Sequence, residues 1–214
     1  TTLIDNSYAS PVFQQPANYG IYIICHSATK YLNGHSDVVA GVVCGSQKMI
    51  QQIFAETYMT LGAVLSPHDA WLMIRGLRTL DVRMQRVADT TEALLPFLEN
   101  HPAVDKVYHP FSSGNPQYPL ATKQLKRGGG QFSITLHTDH VSVIERFCEQ
   151  LKHFLLACSW GGYESLVFPT CAVIDTKAEA KPGIPWNLVR FYIGLEDRTE
   201  LQADLKQALD GLLE

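Results

Sequence analysis

The sequence predicts an α/β protein in two parts: a mainly parallel sheet with helices over residues 1–76, then a smaller α/β domain over residues 77–214. Two β-branched apolar runs, residues 21–25 and 38–44, have strand length and are bounded by polar or glycine turns. Ser66-Pro67-His68-Asp69 then opens a long stretch of helical composition. From Val104 onward strand-like and helix-like segments alternate, which is the pattern of helices layered on a sheet.

In chain order, Leu3-Ile4-Asp5 reads as a strand, residues 21–25 as a buried strand, and residues 38–45 as a third strand that ends in glycine. Residues 47–61 have helical composition. Ser66 is placed to cap the next helix, with Pro67 at its first position and a carboxylate, Asp69, at its third. This helix is expected to run to about Glu99, bending near Gly76, with Pro96 also interrupting its pattern and Asn100-His101-Pro102 ending it. Strands are expected at residues 104–109, 131–137, 154–159 and 188–193, with helices at 119–126 and 141–151. Gly128-Gly129-Gly130 reads as a tight turn, because a phosphate-binding glycine loop opens a helix and this one runs into a strand. Asp197 caps a closing helix whose Leu201, Leu205, Leu209 and Leu212 form one apolar stripe. The loop over residues 175–186, with Pro182, Gly183 and Pro185, is expected to be the most mobile stretch.

Composition sets limits on function. At 46% hydrophobic, 18% charged and a formal net charge of -4, the chain carries no basic field to recruit nucleic acid or an anionic membrane. No apolar run approaches the roughly 20 residues needed to span a bilayer. Five cysteines, without a C-x-x-C pair, fit a reducing, cytoplasmic setting, with Cys25 and Cys44 expected in the core. His137 and His140 lack a third clustered ligand, so no metal is expected. The abrupt beginning Thr1-Thr2-Leu3-Ile4-Asp5, inside a strand, is expected of a fragment whose open sheet edge a further segment or a partner chain covers.

The chemistry is expected around Lys30. A lysine set between an apolar strand and a glycine turn is held rigidly and partly desolvated, the condition under which its amine attacks a carbonyl. Ser27 and Thr29 place two hydroxyls beside it, suited to phosphate oxygens. Asp5 would reach the same edge if the two strands were parallel neighbours. Ser27-Ala28-Thr29-Lys30 also satisfies the S-x-x-K pattern of serine β-lactamases, but no S-D-N or K-T-G follows. Arg190, mid-strand between Val189 and Phe191, needs an anion: either a structural carboxylate such as Glu196 or Asp197, or a ligand. Trp160 reads equally as a core aromatic or as part of a site wall. His26 and His35 are read as structural hydrogen-bonding groups.

Taken together, several motifs give a resemblance. They are Asp5-Asn6 with Ala9-Ser10-Pro11; Ser27-Ala28-Thr29-Lys30-Tyr31-Leu32 with Gly34-His35-Ser36-Asp37; Ser159-Trp160-Gly161-Gly162-Tyr163-Glu164-Ser165-Leu166; and Val189-Arg190 with Gly194-Leu195-Glu196-Asp197. In order and spacing the chain resembles the second half of the Cys/Met-metabolism enzymes dependent on pyridoxal phosphate, of the aspartate-aminotransferase fold type. The Trp160 octet is similar to that of bacterial cystathionine β-lyases, whose γ-specific relatives usually carry leucine there.

The resemblance implies that Lys30 carries pyridoxal 5'-phosphate and then serves as general base, that Asp5 keeps the pyridine nitrogen protonated, and that Ser27 and Thr29 contact the phosphate. It implies that Arg190 and Ser159 hold the carboxylate of a sulfur-containing amino acid, with Trp160 favouring β-elimination. It implies a domain boundary near Gly76 and a homotetramer built from dimers. A cofactor-stacking tyrosine, a phosphate loop and a tyrosine-arginine pair from a neighbouring subunit would lie before Thr1. Two alternatives stay open: a γ-lyase or γ-synthase of the same family, and a catalytically inert piece that only oligomerises or binds.

Overall fold

The computed structural model describes residues 1–173 and 184–213, and most of the loop expected over 175–186 lies outside the described residues. The chain divides into two compact units, Thr1–Met84 and Gln85–Glu214.

The first unit holds a three-stranded sheet of β1 (Leu3–Asp5), β2 (Ile23–Ser27) and β3 (Gly41–Gly45), in that order. β1 and β2 are parallel, with Asp5 opposite Cys25, whereas β3 runs antiparallel to β2, with Gly41 opposite Ser27. The sheet is therefore mixed. A short helix, α1 (Ser10–Phe13), follows β1 and buries Phe13. After β3, α2 (Gln47–Ile53) passes through a wider π turn at Phe54–Tyr58 into α3 (Met59–Leu61), so the helix expected over 47–61 is present in three registers. Cys44, expected in the core, is exposed, because four of the five residues of β3 are exposed.

α4 (Pro67–Leu77) begins as expected, the Ser66 hydroxyl accepting a hydrogen bond from the Asp69 amide at 3.0 Å. The single bent helix expected from there to Glu99 is instead two helices. α4 stops at Leu77, and α5 (Leu80–Glu99) starts after Arg78 and Thr79. Arg83 supplies the physical reason. Its buried guanidinium donates to the Gly76 carbonyl (2.9 Å), the Thr79 hydroxyl (3.0 Å) and the Tyr31 carbonyl (2.8 Å), which ties the break to the segment after Lys30. Pro96 is accommodated inside α5.

In the second unit a five-stranded sheet has the order β4-β5-β8-β7-β6. Its strands are β4 (Val104–Tyr108), β5 (Gln131–Leu136), β6 (Leu155–Leu156), β7 (Leu166–Pro169) and β8 (Leu188–Tyr192). α6 (Tyr118–Gln124), α7 (Val141–Gln150) and α8 (Arg198–Asp210) complete it. Strand alternation puts Phe132, Ile134 and Leu136 of β5 and Val189 and Phe191 of β8 into one core with Ile144 and Phe147 of α7 and Leu201, Leu205 and Leu209 of α8. Phe191 is its aromatic centre, stacked on Phe132 at 5.3 Å and edge-on to Phe147 and Phe154. The Asp197 side chain caps α8 by accepting from the Thr199 and Glu200 amides, as expected.

Candidate active site

In the first unit, parallel pairing of β1 with β2 puts Asp5, Cys25 and Ser27 on one face and turns Asn6 and His26 to the other. Ser7 joins them. Its hydroxyl donates to Asp5 Oδ1 (2.6 Å) and accepts from the Ser27 amide (2.6 Å), while its own amide also donates to Asp5 Oδ1 (2.8 Å). Those two bonds from Ser7, more than the nearby His26, hold the Asp5 carboxyl below the usual carboxylate range. Both contacts fall on Oδ1, and among the described residues Oδ2 remains for another donor.

Lys30 sits in the turn just after β2. Its amide donates to the Ser27 carbonyl (3.1 Å), its carbonyl accepts from the Gly34 amide (2.8 Å), and the Asn33 amide donates to the Ala28 carbonyl (3.0 Å), a helical turn that closes around a half-buried lysine. Gly34 has φ +71°, a conformation side chains with a Cβ adopt at a cost, and a Cβ there would strike the Arg83 guanidinium. Gly76 of α4 lies against Asn33 so closely that a Cβ would stand 2.3 Å from the Asn33 carbonyl oxygen. The turn is thus clamped by Arg83 and Gly76, neither of which the sequence singled out for that task.

The two hydroxyls before Lys30 are differently employed. Thr29 Oγ1 accepts from the Ala40 amide (3.0 Å) and donates to the Ala40 carbonyl (3.3 Å), which uses its one proton to brace the turn. Ser27 Oγ has no partner among the described residues and is half-buried. Beneath this layer His26 is buried, and desolvation pushes its imidazole below the ordinary histidine range against the opposing pull of Asp5. Its Nδ1, like Asn6 Oδ1, is buried without a hydrogen-bond partner among the described residues. His35 is exposed, with Nδ1 2.7 Å from the Asn33 carbonyl oxygen.

The second unit carries the remaining candidates. Arg190 is on the face of β8 opposite the core, with Ser133 of β5 and Phe168 of β7 across from it. Its Nη2 donates to the Cys158 carbonyl, next to Ser159 and Trp160, and its guanidinium lies 5.3 Å from the centre of the Phe168 ring. Burial lowers the Arg190 pKa from its usual value. Among the described residues it has no carboxylate partner. Glu196 and Asp197 are both committed elsewhere: Glu196 accepts from the Ser165 amide (2.7 Å) and hydroxyl (2.8 Å), and Asp197 caps α8. Ser165 Oγ in turn accepts from the Gly194 amide (2.9 Å), and the Tyr192 hydroxyl donates to the Gly162 carbonyl (2.8 Å), so the segment after Trp160 is fastened to the end of β8. The fastening role of Ser165 and Glu196 was not legible from residue type. Trp160 is half-buried and Ser159 exposed. Among the described residues no helix is long and apolar enough to cross a membrane.

Comparison with known proteins follows the same residues. The family model for Cys/Met metabolism pyridoxal-phosphate-dependent enzymes matches residues 1–210. An L-methionine gamma-lyase of Pseudomonas deceptionensis is 41% identical, over 98% of this chain and 54% of its own length. A cystathionine beta-lyase of Lactococcus lactis is also 41% identical, over 98% of this chain and 56% of its own. The crystal structure of cystathionine gamma synthase from Xanthomonas oryzae pv. oryzae in complex with cystathionine superposes with a TM-score of 0.91 at 36% identity, covering 99% of this chain and 56% of that one. The chain spans about half the length of the curated relatives it matches.

The residues present fit pyridoxal phosphate. An ionised carboxylate with one oxygen open suits a protonated pyridine nitrogen, the unpartnered Ser27 hydroxyl suits a phosphate oxygen, and the clamped, half-buried Lys30 suits the aldehyde.

Proposed function

We propose that this chain, which belongs to the Cys/Met metabolism pyridoxal-phosphate-dependent enzymes, is part of a carbon-sulfur lyase that cleaves cystathionine by β-elimination to homocysteine, pyruvate and ammonia. The observation that carries the reading is the chain of hydrogen bonds from Asp5 through Ser7 to the Ser27 amide, which fixes an ionised carboxylate to the strand that delivers Lys30.

Bound pyridoxal phosphate supplies an electron sink for the bond broken at the substrate Cα. Asp5 Oδ2 would accept a hydrogen bond from the protonated pyridine nitrogen and, by staying ionised, would keep that proton on the ring. Lys30 Nζ would hold the cofactor aldehyde and, as a free amine, would serve as the base at the substrate Cα. Ser27 Oγ would donate to the phosphate; Thr29, its proton engaged by Ala40, holds the turn and would reach the phosphate only by giving up that bond. Arg190 offers its remaining N–H groups to the substrate carboxylate in the fork geometry that a lysine lacks, with Ser159 beside it. Trp160, in the octet from Ser159 to Leu166, supports β- over γ-elimination. The reading extends to a cytoplasmic homotetramer acting in methionine biosynthesis, with the cofactor domain handing over to the smaller domain near Gly76.

The γ-lyase or γ-synthase alternative is kept by the relatives, whose names cover β-lyase, γ-lyase and γ-synthase at similar identity. Incubation with cystathionine separates them: pyruvate supports the proposal, and 2-oxobutyrate overturns its β-specific part. Borohydride treatment of the chain mixed with pyridoxal phosphate, followed by peptide mass mapping, tests the cofactor reading by itself. A reduced pyridoxyl label on Lys30 is expected, and a label spread over surface lysines would leave an inert binding module as the better account.

A further inference from the structure

We infer that Phe168 is a positioning residue for Arg190, holding the guanidinium in the plane in which it meets a carboxylate; the inference rests on the proposal that Arg190 receives the substrate carboxylate. The pairing is built into the sheet. β7 and β8 are antiparallel with Phe168 directly opposite Arg190, and Val167 opposite Phe191, so the register that sends Phe191 into the core sends Phe168 and Arg190 together to the other face.

On that face the arginine is held in two ways. Its guanidinium is 5.3 Å from the Phe168 ring centre, within range of an attraction between the cation and the ring's negative face. One nitrogen, Nη2, is anchored on the Cys158 carbonyl. A stack together with an anchor at one edge fixes both the tilt and the rotation of a planar group, which leaves its other donors pointing one way before any ligand arrives. A free arginine loses rotamer freedom when it binds, and here that loss is already taken in the folded protein. No carboxylate among the described residues competes for the group; Glu196, the nearest sequence candidate, is bound to Ser165. Arg190 is half-buried with no carboxylate partner among the described residues, and the partial desolvation that lowers its pKa also strengthens its attraction for an incoming anion. Ser133, the cross-strand neighbour on the β5 side, has no ring to offer, so the stacking comes from β7 alone.

The experiment compares Phe168→Leu, Phe168→Tyr and Arg190→Lys in the cofactor-loaded enzyme, with cystathionine and with its methyl ester at the carboxylate that Arg190 is taken to hold. Phe168→Leu is expected to raise KM for cystathionine about three- to tenfold with kcat nearly unchanged. It should leave the ester unaffected, and Phe168→Tyr, which keeps the ring, should restore the KM. Arg190→Lys should raise the acid's KM further. If Arg190→Lys raises KM and Phe168→Leu does not, or if Phe168→Leu penalises acid and ester alike, the positioning role is overturned while the role of Arg190 stands. If Arg190→Lys changes nothing, the carboxylate reading itself fails. NMR of the arginine Nε and Nη groups gives a readout independent of catalysis and of that reading: slow guanidinium rotation at Arg190 in the parent and in Phe168→Tyr, and fast rotation in Phe168→Leu. Equal rotation rates in all three overturn the inference.

Discussion

Replacing Gly76 by alanine separates two consequences of one methyl group. Within α4 alone the change is favourable, because alanine is a better helix former than glycine by about 1 kcal/mol. Packing opposes it. The new Cβ would lie 2.3 Å from the Asn33 carbonyl oxygen and 3.1 Å from the Asn33 Cα, both backbone atoms that no rotamer change can move aside. Relief requires the Asn33 segment to retreat by at least about 0.7 Å, at an overpacking cost of about 1–3 kcal/mol. The two effects leave a net destabilisation of about 0–2 kcal/mol, small enough for the protein to remain folded. The retreat is not harmless, however, because Asn33 is bonded to Ala28 and Gly34 to Lys30, so displacement is carried into the turn that presents the lysine. A misplacement approaching 1 Å at a reacting group can cost about 10²-fold in rate. Urea unfolding should therefore show a loss of at most about 2 kcal/mol, while the rate of borohydride-trapped pyridoxal attachment at Lys30 falls by one to two orders of magnitude, a range set by that same positional sensitivity. A variant that is about 1 kcal/mol more stable, as helix propensity alone dictates, and reacts at the parent rate would refute the clamp.

Ser7→Ala removes the hydroxyl between Asp5 and the Ser27 amide; it should cost about 1–2 kcal/mol at neutral pH and let the Asp5 carboxyl titrate nearer its usual range, and an unchanged carboxyl titration by NMR would contradict the relay. Phe191→Ala empties the centre of the second core and should cost about 3–5 kcal/mol in urea unfolding, with a loss below about 1 kcal/mol counting against the aromatic cluster. His109 is buried, and burial together with the Phe111 amide donating to Nδ1 favours its neutral form in the folded protein, lowering its pKa. The unfolded chain then takes up the proton first, so stability should be level above about pH 6.5 and fall as pH drops below it; His109→Gln should flatten that slope, leaving the part due to His26, which is shifted in the same direction. Trp160→Leu should move product from pyruvate towards 2-oxobutyrate by about tenfold or more, and pyruvate as sole product in both proteins would remove Trp160 from the specificity argument.

What the sequence made legible in the fold was what local chemistry decides. The caps at Ser66 and Asp197 and the stripe Leu201, Leu205 and Leu209 of α8 are short-range patterns found where expected, whereas Leu212, expected in the same helix, lies beyond its end at Asp210 and is only partly buried against the core. Strand limits were less legible. The segment read as residues 21–25 is β2 at Ile23–Ser27, because pairing to β3 continues through His26 and Ser27, whose polarity reads as the end of a strand although their backbones bond like any other. β7 went unread for a related reason: Leu166–Pro169 follows a glycine-rich octet and ends in proline, yet Leu166 to Pro169 pair with Tyr192 to Val189. The helix break at Arg78 and Thr79 depends on Arg83 reaching Tyr31, 52 positions away, and no window of sequence contains that contact.

The site divides along the same line. Lys30, Asp5 and Arg190 are conspicuous because each is a charged residue in an apolar or strand-like setting, which costs free energy and so points to a use. Ser7, Ser165 and Glu196 are ordinary polar residues until the register brings them into contact, and they decide how the conspicuous ones behave. Ser7 keeps Asp5 ionised, and Glu196, by bonding to Ser165, is removed from the competition for Arg190. The same logic explains why relatives named for β- and γ-cleavage match this chain almost equally well. Activating the Cα–H bond is the step those reactions share, and the residues that the sequence reveals most plainly are those suited to it. On the proposed reading, the choice between cleaving at Cβ or at Cγ falls to the walls around the departing sulfur, and one wall residue, the role proposed for Trp160, would be worth about 1–3 kcal/mol, enough to bias a product ratio without disturbing the framework that overall identity measures.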